Sequence, residues 1–185
     1  MIEQSFSNQE KLNPKVELAT VDDWEECKRL RLLQISGEDA KMFGSVSEKA
    51  LEKEQNRTKE DWQKVISSKD MFFVLSKNDS NPVGLGRAIQ EKEGLWRMGW
   101  AYTEKDFRKK GFGVKNSMLR LKELLKRGAK EVKLYVMANN EASMHIQELL
   151  GFRTTTIYSP NEAGGSNINL MTLDLIKMFS EDHEN

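Results

Sequence analysis

The stretch Tyr102-Thr103-Glu104-Lys105-Asp106-Phe107-Arg108-Lys109-Lys110-Gly111-Phe112-Gly113-Val114 decides how this chain is read. It lies where a strand-like run, Leu95 to Thr103, gives way to helical periodicity from Gly111 to Arg127. A helix start presents unpaired backbone N–H groups and the positive end of the helix dipole, and together these attract an anion. Gly111 and Gly113 lack a Cβ, so the main chain there can come close to a diphosphate. Arg108, Lys109 and Lys110 add positive charge beside it. Other readings compete. A dinucleotide fingerprint needs a third glycine where Asn116 stands. A Walker loop needs Gly-Lys-Ser/Thr after a longer gap. A basic turn along a nucleic-acid backbone, or a plain glycine turn with solvated lysines, would leave the same residues. Taken alone, the loop does not separate a phosphate site from such a turn.

Upstream of it, Met71 to Ser76, Val83 to Gln90 and Leu95 to Thr103 have strand length and are separated by the turn clusters Asn78 to Pro82 and Glu91 to Gly94. They predict an antiparallel meander, with Trp96, Met98, Trp100 and Tyr102 on one face of its third strand. Further upstream, Val16 to Ala19 reads as a short strand. Thr20 and Asp23 read as a capping pair ahead of a helix carrying Trp24, Cys27, Leu30 and Leu33. A second helix spans about Ser47 to Asn56, and Thr58 with Asp61 caps a third. Downstream, the helix from Gly111 carries Val114, Met118, Leu121, Leu124 and Leu125, with Gly128 after it. Val132 to Met137, Glu141 to Leu150, Arg153 to Tyr158 and Ile168 to Leu173 follow as strand, helix, strand, strand. The fold class is therefore α/β (α+β): a mixed, mainly antiparallel central sheet of six or seven strands with helices on both faces.

The 185 residues suit one domain, expected over 15–179, with a leader at 1–14 and a tail at 180–185. Lys and Arg number 29 and so do Asp and Glu, a balance that argues against nucleic acid as the main partner. The single cysteine, Cys27, excludes an intrachain disulfide and reads as a small buried helix residue. No Cys/His cluster has metal-ligand spacing, so no metal is expected. The leader lacks the apolar run of a signal peptide, and no stretch approaches the roughly 20 apolar residues that cross a bilayer. No membrane partner is expected, and the location expected is cytoplasmic.

In context, Asp106-Phe107-Arg108-Lys109-Lys110-Gly111-Phe112-Gly113 resembles the Arg/Gln-x-x-Gly-x-Gly/Ala signature, with its acidic-aromatic pair, of the GNAT superfamily of N-acetyltransferases. Its second signature is a strand, an Asn at a helix start, a small residue three later, then Gly-Phe. Leu134 to Asn140, Ser143 and Leu150-Gly151-Phe152 resemble it in the right order. A weaker likeness extends to Arg29-Leu30-Arg31-Leu32-Leu33 and to Met42-Phe43-Gly44.

The resemblance implies acetyl-CoA as cosubstrate. Pantetheine would lie in a gap between splayed parallel strands, held by main-chain groups of Ala101, Tyr102 and Thr103. The N–H groups of Arg108, Lys109, Lys110, Gly111, Phe112, Gly113 and Val114 would hold the pyrophosphate; Asn140 would hydrogen-bond the cofactor beside the second helix, with Ser143 lining the same wall. The reaction would be direct attack by a primary amine of a small molecule or peptide. The chain departs from the family at Gln147, where many members place the Tyr that protonates the leaving sulfur. An amide has no proton to give near neutral pH. The strand Leu95 to Thr103 also offers no Asp or Glu as base. Tyr102 is the weak catalytic candidate; His145, about 200° from Gln147 around the helix, faces elsewhere. The acceptor is expected between the loops Ser36 to Ser47 and Ser159 to Asn167. There Glu38 and Asp39 read first as two solvated loop carboxylates, with attraction of a cationic amine as the alternative, and Met42 and Phe43 read equally as an apolar wall or as core. Gln147 and the acid-free strand keep open a non-catalytic CoA-binding sensor. The basic loop keeps open a nucleic-acid backbone-binding module. A homodimer through the last strands is left open by the resemblance.

Overall fold

The computed structural model describes residues 14–37, 46–159 and 167–180. In chain order these form β1 (Pro14–Leu18), α1 (Trp24–Ser36), α2 (Val46–Gln55), α3 (Lys59–Ile66), β2 (Met71–Asn78), β3 (Asn81–Lys92), β4 (Leu95–Thr103), α4 (Phe112–Lys126), β5 (Glu131–Met137), α5 (Glu141–Leu149), β6 (Arg153–Tyr158), β7 (Ile168–Asp174) and α6 (Leu175–Ser180). The seven strands form one sheet in the order β1-β2-β3-β4-β5-β7-β6. β4 and β5 are parallel and the other neighbours antiparallel. This is the mixed sheet that the sequence implies, flanked by helices on both faces.

Local chemistry explains the elements. Thr58 Oγ1 accepts from the Asp61 N–H at 3.2 Å, and Asp61 Oδ2 accepts from the Thr58 N–H at 3.1 Å, so the capping pair closes reciprocally. The Thr20 N–H donates to Asp23 Oδ2 at 2.8 Å and opens a short helical turn leading into α1. The hairpin turns fall at Asp79 and Gly94, both at positive φ. β2 is apolar from Met71 to Leu75 because both its faces are covered there. Phe72 and Val74 join Leu121 and Leu124 of α4, whereas Phe73 and Leu75 join Cys27 and Leu30 of α1 and Trp62 of α3. Cys27 is fully buried, and burial pushes its thiol up to about 12.

Two expectations need correction. Trp96 and Met98 do pack on the α4 side, but Trp100 and Tyr102 pack on the α1/α3 side. The cause is a bulge. Leu85 pairs with Tyr102 and Arg87 with Gly99, so Gly86 alone stands opposite Trp100 and Ala101. One extra residue turns every later side chain to the other face. In α4 the helical stripe also differs. Leu125 is exposed, while Asn116, Ser117 and Arg120 are buried with Leu121 and Leu124. The residues after β7 wind into α6, an element the sequence pattern did not announce.

Candidate functional site

β4 and β5 pair only from Leu95 to Arg97 and from Glu131 to Lys133. Beyond those three rungs the strands separate. From Met98 to Thr103 one edge of β4 is not taken by a strand. The bulge lies on this stretch, and Trp100 adopts φ +52, a left-handed conformation costing a bulky residue roughly 1–3 kcal/mol.

Behind the bulge stands Arg120 of α4, 2 % exposed. Its Nη1 donates to the Gly99 and Arg87 carbonyls at 3.3 and 3.4 Å, and its Nη2 to Ser117 Oγ at 3.0 Å. The guanidinium thus takes up carbonyls beside the point where the β3–β4 ladder is interrupted. Asn116 Nδ2 donates to the Val74 carbonyl and to Ser76 Oγ. Gly86 makes this approach possible, since a Cβ there would collide with Asn116 Oδ1 and lie 2.8 Å from Arg120 Nε.

The basic loop sits where β4 ends. After a helical turn at Lys105 to Phe107, Lys109 takes φ +60 and Gly111 φ +85 as the N-cap of α4. The first intrahelical bond runs from the Lys115 N–H to the Gly111 carbonyl at 3.1 Å. The N–H groups of Phe112, Gly113 and Val114 precede it and have no helical acceptor. Arg108, Lys109, Lys110 and Gly111 are exposed, and a Cβ on Gly111 would meet nothing within 4 Å. The Phe112 side chain is buried edge-on against Phe107, their centroids 5.9 Å apart. Arg108 Nε donates to the Thr103 carbonyl at 3.0 Å and so holds the loop to the end of β4. Gly113 lies where α4 meets α5: a Cβ there would stand 3.2 Å from Ile146 Cδ1.

On α5, Asn140 caps the helix, its Oδ1 accepting from the Ser143 N–H at 3.1 Å. Gln147 is buried, and its Oε1 has no hydrogen-bond partner. His145 is exposed, as its helical phase requires. Tyr102 is half-buried with the Arg108 guanidinium 6.0 Å from its ring. Tyr135 and Tyr158 form a half-exposed pair with centroids 6.3 Å apart. Ala101, Tyr102, Thr103 and residues 108–114 therefore lie along one path from the open edge of β4 to the start of α4. Glu38, Asp39, Met42, Phe43 and Gly44, and most of the later loop, lie outside the described residues.

Sequence reasoning missed a second group. The guanidinium carbons of Arg31 (α1) and Arg87 (β3) lie 4.1 and 3.9 Å from the Trp100 ring centroid. Nearby, Arg57 Nη1 forms an ion pair with the buried Glu54 Oε1 at 3.3 Å. Arg31 Nη1 donates to Gln34 Oε1 at 2.8 Å. The Nε atoms of Arg31 and Arg87 are buried without a hydrogen-bond partner. Burial lowers both guanidinium pKa values to about 10, with neighbouring arginines pushing the same way and Glu54 opposing. Both stay protonated at neutral pH. No periodicity links positions 31, 57, 87 and 100, so only the fold assembles them.

Residues 30–152 match the family model described as the acetyltransferase (GNAT) family, and the chain belongs to that family of N-acetyltransferases. No curated protein sequence matches it. Among solved structures it is similar to the PaiA N-acetyltransferase from Thermoplasma acidophilum in complex with coenzyme A. Their identity is 17 %, the match covers 88 % of this chain and 99 % of the other, and the TM-score is 0.69. It is similar to a spermidine N-acetyltransferase chimera from Vibrio cholerae and hSSAT (14 % identity, 90 % and 98 % coverage, TM-score 0.66). It is also similar to a ribosomal-protein alanine N-acetyltransferase from Escherichia coli (15 % identity, 88 % and 94 % coverage, TM-score 0.63). At these identities the likeness is one of fold. Among the described residues no helix is long and apolar enough to cross a membrane, and no cluster of side chains suits a metal ion.

Proposed function

We propose that the protein takes acetyl-CoA as cosubstrate in the gap between β4 and β5 and passes the acetyl group to a primary amine of a small molecule or peptide. The observation that carries this reading is the separation of β4 from β5 after three rungs, with the start of α4 at the end of β4. The residues present fit the cosubstrate. The open edge at Ala101 to Thr103 suits the amide groups of pantetheine. The N–H groups of residues 108–114 and the charges of Arg108, Lys109 and Lys110 suit a diphosphate. Asn140 and Ser143 line the other wall, although Asn140 Oδ1 already caps α5.

In the reaction a neutral amine attacks the thioester carbonyl carbon; a C–N bond forms, the C–S bond breaks, and the thiolate leaves. Main-chain groups at Trp100 and Ala101, displaced from the ladder by the bulge, are placed to donate to the oxyanion. Gln147, buried in place of an acid, can polarise but not protonate the sulfur, so its proton comes from water. Tyr102, half-buried at the gap, is the candidate among the described residues for proton transfer from the amine.

Calorimetric titration with acetyl-CoA followed by a thiol-release screen over an amine panel tests this. Binding with turnover is expected; absence of binding would remove the cosubstrate reading. Gly111→Val should weaken acetyl-CoA binding at least tenfold. A side chain at φ +85 is strained by roughly 1–2 kcal/mol and crowds the approach to the loop. Unchanged affinity would take the phosphate role from this loop.

A further inference from the structure

The guanidiniums around Trp100 form a recognition group whose counter-charge is missing among the described residues. Three cations, Arg31, Arg57 and Arg87, gather near one buried carboxylate, Glu54, and Glu54 forms its ion pair with Arg57. Arg87 stacks on Trp100, and among the described residues it has no carboxylate partner and Arg31 bonds to a neutral amide, that of Gln34. Two partly buried charges without an ion-pair partner of their own are costly to fold around. Stacking on the indole offsets part of that cost, about 0.5–2 kcal/mol for each cation. It leaves the guanidinium planes oriented, while the Nε donors, sealed from solvent, find no acceptor within the fold. A fork of fixed N–H donors matches the paired oxygens of a carboxylate or a phosphate.

Trp100 is itself the left-handed residue of the bulge, immediately before Ala101 to Thr103. Any group docked on Arg31 and Arg87 is therefore held beside the strand edge assigned above to pantetheine, on the α1/α3 side of the sheet.

We infer that the acceptor carries, besides its reactive amine, an oxyanionic group (carboxylate or phosphate) that docks on Arg31 and Arg87 at Trp100. This inference rests on the acetyltransferase reading and narrows it. It turns away from the cationic acceptor that Glu38 and Asp39 alone would suggest.

The test uses the full chain and four amines of matched length: an amino acid, its amide, an aminoalkyl phosphate and a diamine. Acetyl-CoA binding is measured separately, so its absence would fail the cosubstrate reading and not this one. The expected kcat/KM for the amino acid or the phosphate exceeds that of the amide at least tenfold, and the two anionic amines show which oxyanion fits better. Arg87→Gln and Arg31→Gln should each raise KM for the anionic amine by about 10- to 100-fold, the range expected for hydrogen bonds to charged groups. They should leave acetyl-CoA affinity unchanged. Arg87→Lys, which keeps the charge and loses the fork, should fall between. If none of the four amines is turned over, their thermal shifts on the CoA-loaded protein give the same comparison. The anionic amines should then stabilise more than the amide, and the difference should vanish in Arg87→Gln. Equal response to acid and amide, or preference for the diamine, overturns the inference in either format.

Discussion

Two arginine sites lie on opposite sides of the same bulge and answer the same electrostatic problem differently. Arg120, beneath the α4 side, has a guanidinium pKa lowered by burial to about 10, as have Arg31 and Arg87 on the α1 side. None of the three has an ion pair with a carboxylate among the described residues. Arg120 is closed off at 2 % exposure and spends donors on the Gly99 and Arg87 carbonyls and on Ser117 Oγ. Arg31 and Arg87 remain partly exposed and stack on an aromatic ring, while a buried Nε without an acceptor is common to all three. A buried cation that the fold closes off and bonds at both Nη atoms is a structural part. One that the fold orients on a ring and leaves partly open is a place for something else to bind.

Removing Arg120 tests the first half most severely. Arg120→Met keeps much of the volume but leaves the Gly99 and Arg87 carbonyls short of a donor, at roughly 1–3 kcal/mol each. Part of that is regained because no charge is then buried. A net loss of about 2–3 kcal/mol, or a Tm lower by about 4–12 °C, is expected by calorimetry. A variant as stable as the wild type would place Arg120 in the same class as Arg31 and Arg87. Gly86→Ala attacks the same arrangement from the strand side. Its new Cβ presses on Asn116 and Arg120, and an overpacking loss of about 1–3 kcal/mol is expected in urea unfolding. The smallest stability effect belongs to Arg87→Gln, which removes an unmatched charge and should leave the unfolding free energy in urea within about 0.5 kcal/mol of wild type. A large loss there would assign Arg87 to the scaffold and erase the contrast. As for pH, burial depresses these guanidinium pKa values, so the charged forms weaken the fold below about pH 10 and the penalty lifts only above it. Between pH 6 and 9 these arginines should add no slope to a stability profile.

Much of this was legible before any coordinates. The meander, the helix after the basic loop and the Asn140 helix start follow from runs, turns and caps that act within a few residues. What was not legible was set by tertiary demands. The sequence Gly99-Trp100-Ala101 keeps its alternation through the bulge, and the residue in the left-handed conformation is the tryptophan, not the glycine beside it. The face switch of Trp100 and Tyr102 therefore left no trace in the pattern. Asn116 and Arg120 carry no apolar signal, and their acceptors, the Val74, Arg87 and Gly99 carbonyls and Ser76 Oγ, lie on other elements, so their burial left no trace in the pattern either. The arginines at Trp100 come from α1 and β3, and spacing along the chain does not reveal such a meeting.

The three-rung join between β4 and β5 also bears on the order in which the chain assembles. β2, β3 and β4 pair with their immediate neighbours through tight turns, contacts that close quickly. The β4–β5 join must instead wait for the intervening loop and α4 to be laid down, and it gains only the pairs from Leu95–Glu131 to Arg97–Lys133 for that closure. The meander is thus positioned to form early as a template. The β4–β5 seam, short and closed only after α4, is the one whose unfinished end supplies the open edge beside Trp100.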